Sequence, residues 1–293
     1  MTDTKKLLTQ FAPICYFHEN ETSFPVSYET FVKNSDLEVK ANGQKRMLPE
    51  ALKYRLNEIT AEEVLEEWLA DNESLREPFA KGTLSLIPKV KEPNMAGDYN
   101  PEKKQLNSLP THTQVAVVTL KNQLNEEEEF YRLTYLFIYR DNIPPYAFGT
   151  GRHLGDIEHL SVYVKRTEDG LWDDRIAKIY YSAHGPYEGM WVESQDIQLE
   201  NGRSVNFIAK GSHADYYDLK AGSRFFSSTH YVYRIFGFAN DQIANHIRYP
   251  ITEHDLLPMP KPIRDNYSMN AGEIRMGKSF ITGEEVSFVR ILK

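Results

Sequence analysis

The sequence predicts a mostly β protein: an antiparallel β-sandwich with a helical insertion near residues 47–82. Three observations lead there. From residue 113 onward, short runs rich in Val, Ile, Tyr and Phe recur between Gly, Asn, Asp and Pro, the pattern of strands separated by turns. Few helical patterns fall between these runs, which argues for antiparallel sheets rather than a doubly wound parallel one. At 41% hydrophobic and 12% aromatic, the 293 residues have ample material to bury one core. The expected organisation is a single domain over 1–293, with residues 47–112 as a helical and loop insertion within it.

Taken in order, the chain opens with a short helical pattern that must stop before Pro13. A buried strand is expected at Ile14 to Phe17. Thr60 and Glu63 form a capping-box pair ahead of Val64, Leu65, Trp68 and Leu69, an apolar stripe at helical spacing that reads as packing surface. Residues 88–112 are rich in Pro, Asn, Gly and Lys and show neither period, so a long surface loop is expected. Strands follow at Gln114–Leu120 and Phe130–Tyr139, joined by a solvated acidic turn at Glu126–Glu129, and then at Ile176–Ala183, Val205–Lys210 and Ser228–Phe236. The last 45 residues carry Pro250, Pro258, Pro260 and Pro262 before a strand-like run at Glu285–Leu292, and are expected to wrap the sandwich as an extended tail.

Composition excludes several classes. A net charge of -8, spread without a basic block, argues against a surface that tracks nucleic-acid phosphates. One cysteine, Cys15, rules out an internal disulfide and a cysteine-rich zinc site, and its apolar neighbours mark it as core. No apolar run is long enough to span a membrane, and MTDTKKLLTQFAP is too polar for a secretory signal. A soluble protein is expected, cytoplasmic or exported without a classical signal, with peripheral membrane contact still open. Sequons at Asn20 and Asn266 then carry little weight. Phosphate-loop, dinucleotide and His-Glu-x-x-His signatures are absent. Neither Ser182 nor Ser212 sits in a nucleophile elbow.

Chemistry concentrates in GRHLGDIEHLSVYV, residues 151–164. Residues two apart on a strand share a face, so Asp156 and Glu158 are expected side by side, with His153 entering from a Gly-flanked turn. Two neighbouring carboxylates need a counter-charge: a divalent cation, an Arg or Lys, or a shared proton. Asp141, His159, His184 and His213 complete an acidic and imidazole constellation at strand ends. Oxygen ligands would favour magnesium, calcium or manganese, and a His-rich subset zinc or iron. His230, His246 and His254 are expected to be structural.

These blocks carry a resemblance. FAPICYFHENETSFPVS (11–27), GRHLGDIEHLSVYV, IYYSAHGPYEGMWV (179–192) and FIAKGSHADYY (207–217) resemble, in order, segments of the vacuolar protein sorting-associated protein 62 family. They are more distantly similar to the necrosis- and ethylene-inducing peptide-like proteins, β-sandwiches whose metal-binding pattern is an Asp followed by His-x-x-Asp-x-Glu. The resemblance implies a divalent cation, magnesium, calcium or manganese, held by Asp141, His153, Asp156 and Glu158, with His184 and His213 nearby. Ile157 stands where both families have Trp, and Gly155 replaces the second His of the toxin heptapeptide.

Three functions compete. A metal-dependent module would recognise a polar small molecule, glycan or lipid headgroup. A metal-dependent hydrolase or lyase would use His184 or His213 as general base. A scaffold would keep the metal as a structural element. A cleft lined by Tyr146, Tyr187 or Trp191 beside the cation would favour ligand binding.

Overall fold

In a computed structural model the described residues are 3–89, 98–100, 102–103, 105–121, 126–143, 153–183, 189–220, 241–261, 263, 275–278 and 285–287, with only the backbone described for 153, 275–278 and 285–287. Helix α1 (Thr4–Phe11) is capped by the Asp3 carboxylate, ends before Pro13 and buries Leu7, Leu8 and Phe11. Strand β1 (Ile14–Phe17) follows, then α2 (Tyr28–Lys33), capped by the Ser27 hydroxyl. Strands β2 (Ser35–Ala41) and β3 (Gln44–Met47) turn at Asn42 and Gly43, both in the left-handed region that this tight hairpin requires. Helices α3 (Glu50–Arg55), α4 (Ala61–Asp71) and α5 (Arg76–Phe79) lead to β4 (Thr83–Pro88). After the short ladder of β5 (Tyr99–Asn100) and β6 (Gln105–Leu106) come β7 (Thr111–Lys121), β8 (Glu127–Asn142), β9 (His153–Arg166), β10 (Trp172–Tyr181) and β11 (Met190–Glu193). The chain continues through β12 (Leu199–Glu200), β13 (Arg203–Ile208), β14 (Asp215–Tyr216), β15 (Ile247–Pro250), β16 (Leu256–Pro258), β17 (Arg275–Lys278) and β18 (Glu285–Ser287).

The central sheet runs β11-β10-β9-β8-β7-β16, antiparallel except that β16 joins β7 in parallel. A second sheet, β12-β13-β1-β15 with β14 on β13, packs on one of its faces. Leu133, Tyr135, Phe137 and Tyr139 of β8 and Leu160, Val162 and Val164 of β9 meet Cys15, Phe17, Ile208 and Ile247 there. This is the expected sandwich. Its core includes the buried Cys15, and a full-length burial of each Leu, Val or Phe contributes roughly 1.5–3 kcal/mol. The half-buried Arg203 guanidinium donates to the carbonyls of Ala12, Pro13 and Ile251, tying β13 to the entry of β1 and the end of β15.

A third layer lies on the other face of β8 and β9. The alternate residues Leu136, Ile138 and Ile157 enter a core with Phe31, Leu37, Val39, Val64, Trp68 and Leu69. The apolar stripe of α4 is therefore internal packing, and the Thr60–Glu63 capping box forms as expected. The helices do not stand alone: β2, β3 and β4, with β17 and β18, make a sheet beneath them. Alternation did not announce this sheet, because all four residues of β3 are exposed and Glu38, in the middle of β2, is buried. The structure also corrects the loop expected at 88–112, where β5 and β6 pair and Leu106 and Leu109 are buried. Within the mostly antiparallel sandwich, β1 and β13 run parallel. The strand expected at Ser228–Phe236 lies outside the described residues. No helix among the described residues is long and apolar enough to cross a membrane.

His112 joins three of these elements. Its Nε2 accepts the Tyr28 amide at 2.9 Å, so the neutral ring carries its proton on Nδ1 and donates to the Pro258 carbonyl, also at 2.9 Å. Burial lowers its pKa to about 4 from 6.5, partly opposed by the Pro258 bond. Above pH 6.5 both folded and unfolded chains hold a neutral ring. Below it the unfolded chain takes up a proton that the fold refuses, so stability falls until about pH 4. Urea titrations across pH 4–7 should show His112→Gln losing roughly 2–3 kcal/mol less than wild type over that window; equal pH slopes would show that His112 is not the group responsible.

Candidate functional site

The register of β8 against β9 sets the site. Tyr139 faces Asp156, Phe137 faces Glu158 and Asp141 faces Leu154, which puts Asp141, Asp156 and Glu158 on the sandwich face of the sheet. Asp156 and Glu158 are both buried, but the contacts they make differ. Asp156 Oδ2 lies 2.9 Å from His213 Nδ1, between the sheets. Glu158 Oε2 accepts from the Ser182 hydroxyl at the end of β10, and that hydroxyl also receives the His159 amide at 2.7 Å. Ser182 is thus engaged with Glu158 and the β9 backbone, which accounts for it without a nucleophilic role. His159 points to the other face, beside Tyr180, and burial together with Arg132 lowers its pKa to about 4.

His213 comes from a tight hairpin between β13 and β14. The Ala209 amide donates to Ala214 and the His213 amide to Ala209, which forces Gly211 and His213 to positive φ. His213 takes φ 56, a conformation a non-Gly residue holds only where surroundings impose it. Those surroundings are specific. Gly211 donates to Glu21 Oε2 at 2.8 Å and accepts from Ile143 at the end of β8, while Asp215 donates its amide to Ser182. The His213 ring stacks on Tyr139, centroids 3.8 Å apart and 2° from parallel. With Nδ1 donating to Asp156, the basic lone pair is on Nε2, 4.0 Å from Glu21 Oε1.

Glu21 escaped sequence reading. Its carboxylate accepts the amides of Thr22, Ser23 and Gly211, so it organises both the turn after β1 and the His213 hairpin. Nothing in the local pattern distinguishes it from an exposed turn acid, although it lies in the first of the four blocks quoted above. Asp241 is similar: Ser212 donates to it at 2.7 Å and Tyr216 donates to its other oxygen.

The surroundings are acidic and buried. Glu21, Asp156, Asp215 and Asp241 are all buried around a fully buried His213. Burial pushes the His213 pKa down, against the charges of Glu21, Asp141 and Asp241, which favour the protonated ring. Burial and the Asp156 charge raise Asp215 to about 8, although Asn206 donates to it at 2.7 Å. Asp141 Oδ1, Tyr139 Oη, His213 Nε2 and Asp215 Oδ2 are buried with no protein partner among the described residues.

For a cation, the sequence-predicted ligands assemble only in part. Asp141 offers an unpartnered buried oxygen on the face of Asp156, yet no three His, Cys, Asp or Glu side chains of the described residues converge as a metal-ligand group. The backbone of His153 pairs with Asn142, while its side chain, and all of His184, Tyr146 and Tyr187, lie outside the described residues. Trp191 is not beside Asp156. It pairs with Tyr180, in line with Ser161 and Thr134, on the opposite face of the sheet.

Asp215 gives a measurable consequence. Its folded pKa of about 8 lies above the unfolded 3.8, so the fold holds a proton that the unfolded chain releases, and stability falls as pH rises from about 4 to about 8. Asp215→Asn keeps the shape without the ionisation. Its stability relative to wild type is expected to improve by roughly 2 kcal/mol or more between pH 5 and pH 8, read from denaturant midpoints; a constant difference would place the Asp215 pKa near its ordinary value.

Comparison with known proteins follows the same residues. No curated protein and no solved structure matches the chain, and nothing supports the more distant similarity to the necrosis- and ethylene-inducing peptide-like proteins. Residues 146–243, which include β9, Ser182 and the His213 hairpin, match a known family. The family matched there is described as vacuolar protein sorting-associated protein 62, and the similarity covers residues 146–243 alone.

Proposed function

We propose that the end of the β8–β9 ribbon binds a divalent cation, magnesium, calcium or manganese, and through it a polar ligand such as a glycan or lipid headgroup. Asp141 and Asp156 would be the central ligands, with His153 and Glu158 completing the set. The observation that carries this reading is the buried, unpartnered Asp141 oxygen on the same face as Asp156, within a cluster of buried carboxylates that includes Glu21. Burying several carboxylates is costly unless protons or a cation offset them, and burial raises Asp215 to about 8, so that one holds a proton at neutral pH. A hard cation with oxygen ligands relieves that repulsion and leaves positions open to hydroxyl or phosphate oxygens. The family's description points to vacuolar protein sorting, a setting in which a lipid headgroup or glycan ligand is apt.

One observation favours a hydrolase or lyase instead. Asp156 fixes His213 in the tautomer whose Nε2 accepts a proton, the arrangement of an oriented general base. Full burial of His213 opposes it, because a base must reach its substrate. Binding therefore ranks above catalysis.

Calorimetric titration with calcium, magnesium and manganese, alongside elemental analysis, tests the proposal. Asp156→Ala and Asp141→Asn should each weaken cation binding by about tenfold or more, while His254→Ala, at an exposed position in a short turn, should match wild type. Thermal melts identify any variant that has lost its fold. No binding by wild type, or equal affinity for Asp156→Ala and His254→Ala, would remove the cation from the site.

A further inference from the structure

The opposite face of the central sheet carries a second arrangement that the cation site does not use. At the β11 edge, Trp191 keeps 45% of its surface open although its ring lies 5.2 Å from both Tyr163 and Tyr180, at 50° and 55°. The two tyrosines are buried beneath it and fix its height above the sheet. Gly189 locks the approach, since a Cβ there would fall 2.0 Å from the Tyr180 hydroxyl. Lys178 Nζ lies 5.3 Å from the Trp191 ring centroid, and 5.8 and 5.9 Å from those of Phe130 and Tyr163. In register, Lys178 stands opposite Glu193 and Tyr180 opposite Trp191, so a cation and a carboxylate flank the indole on adjacent strands. Among the described residues no side chain of Lys178, Trp191 or Glu193 makes a hydrogen bond or ion pair.

We infer that this patch is a sugar-binding platform, independent of the cation site, for a neutral hexose unit of an oligosaccharide. A pyranose presents a C–H face and a rim of hydroxyls. The open indole matches the first, and Lys178 as donor with Glu193 as acceptor matches the second. Rings held rigidly by packing from below lose little freedom on binding, which suits a weak, exposed ligand. A membrane surface fits less well. Only one large ring protrudes, and the exposed Glu193 beside it would repel an anionic headgroup layer.

The test is a fluorescence titration of the full chain with maltohexaose, cellohexaose, mannohexaose and a β-1,4-galactohexaose, each with and without EDTA. Trp68 is buried and Trp172 half-buried, so Trp191 is the indole whose emission a surface ligand changes. At least one oligosaccharide should shift wild-type emission saturably and equally with EDTA present. Calorimetry should then show Trp191→Ala weakening it by about tenfold or more and Trp191→Tyr restoring most of the loss. Lys178→Met and Glu193→Gln should each cost about three- to tenfold, the size of one hydrogen bond. The platform is overturned if none of the four binds, if Trp191→Ala binds as tightly as wild type, or if EDTA abolishes binding. Trp191-dependent sedimentation with phosphatidylcholine–phosphatidylserine vesicles, in the absence of any sugar binding, would overturn it in favour of a membrane contact.

Discussion

Strand β8 is buried on both faces, and most of the molecule is arranged to make that possible. Its alternate residues enter two different cores, Leu133 to Tyr139 with the second sheet and Leu136 and Ile138 with the helical layer. A strand in that position tolerates neither a register slip nor an exposed side, because a one-residue shift would exchange the contents of both cores. The long pairings with β7 and β9 fix the register over almost its whole length. Through β8 the side chains of β9 inherit a defined position, so the placement of Asp156 opposite Tyr139 is a consequence of packing far from the site.

At the end of that strand the molecule accepts unfavourable local features. His213 sits at positive φ, several carboxylates are buried together, and polar atoms of Tyr139, Asp141 and Asp215 have no hydrogen-bond partner among the described residues. Strained backbone and unpaired buried groups cost of order 1–3 kcal/mol each and persist where surrounding structure over-determines them. Here the determinants are visible: the Glu21 clamp on Gly211, the Ile143–Gly211 bond and the Tyr139 stack. Concentration of such features at one sheet end, while the two cores are ordinary apolar packing, is what separates a candidate site from a merely polar interior.

The central sheet also has chemically different faces. Toward the second sheet it presents the carboxylates that meet His213 of the β13–β14 hairpin; on the opposite face it presents Trp191, Lys178 and Glu193. Alternation along β9 and along the last residues of β10 generates both faces from adjacent residues, so neighbouring strands carry an acidic interior and, with β11, an aromatic exterior.

Local pattern in the sequence determined the β class, the α4 capping box, the strand at 14–17 and the alternating run after Asp156, because each depends on neighbours within a few residues. Asp156 and His213 were both singled out from residue chemistry alone. Their meeting required the β8–β9 register and the hairpin at 209–214, contacts between segments more than fifty residues apart in sequence. Glu21 and Asp241 were invisible beforehand because a buried acid that accepts backbone amides looks, in a linear pattern, like any acid in a turn. The β2–β4 sheet was missed for a related reason: β3 is an exposed edge with no apolar alternation to read, and its pairing comes from the Asn42–Gly43 turn and from packing against helices that precede β4. Tertiary structure alone also moved Trp191 away from Asp156, since which face of a sheet an edge residue occupies depends on a register that no single strand specifies.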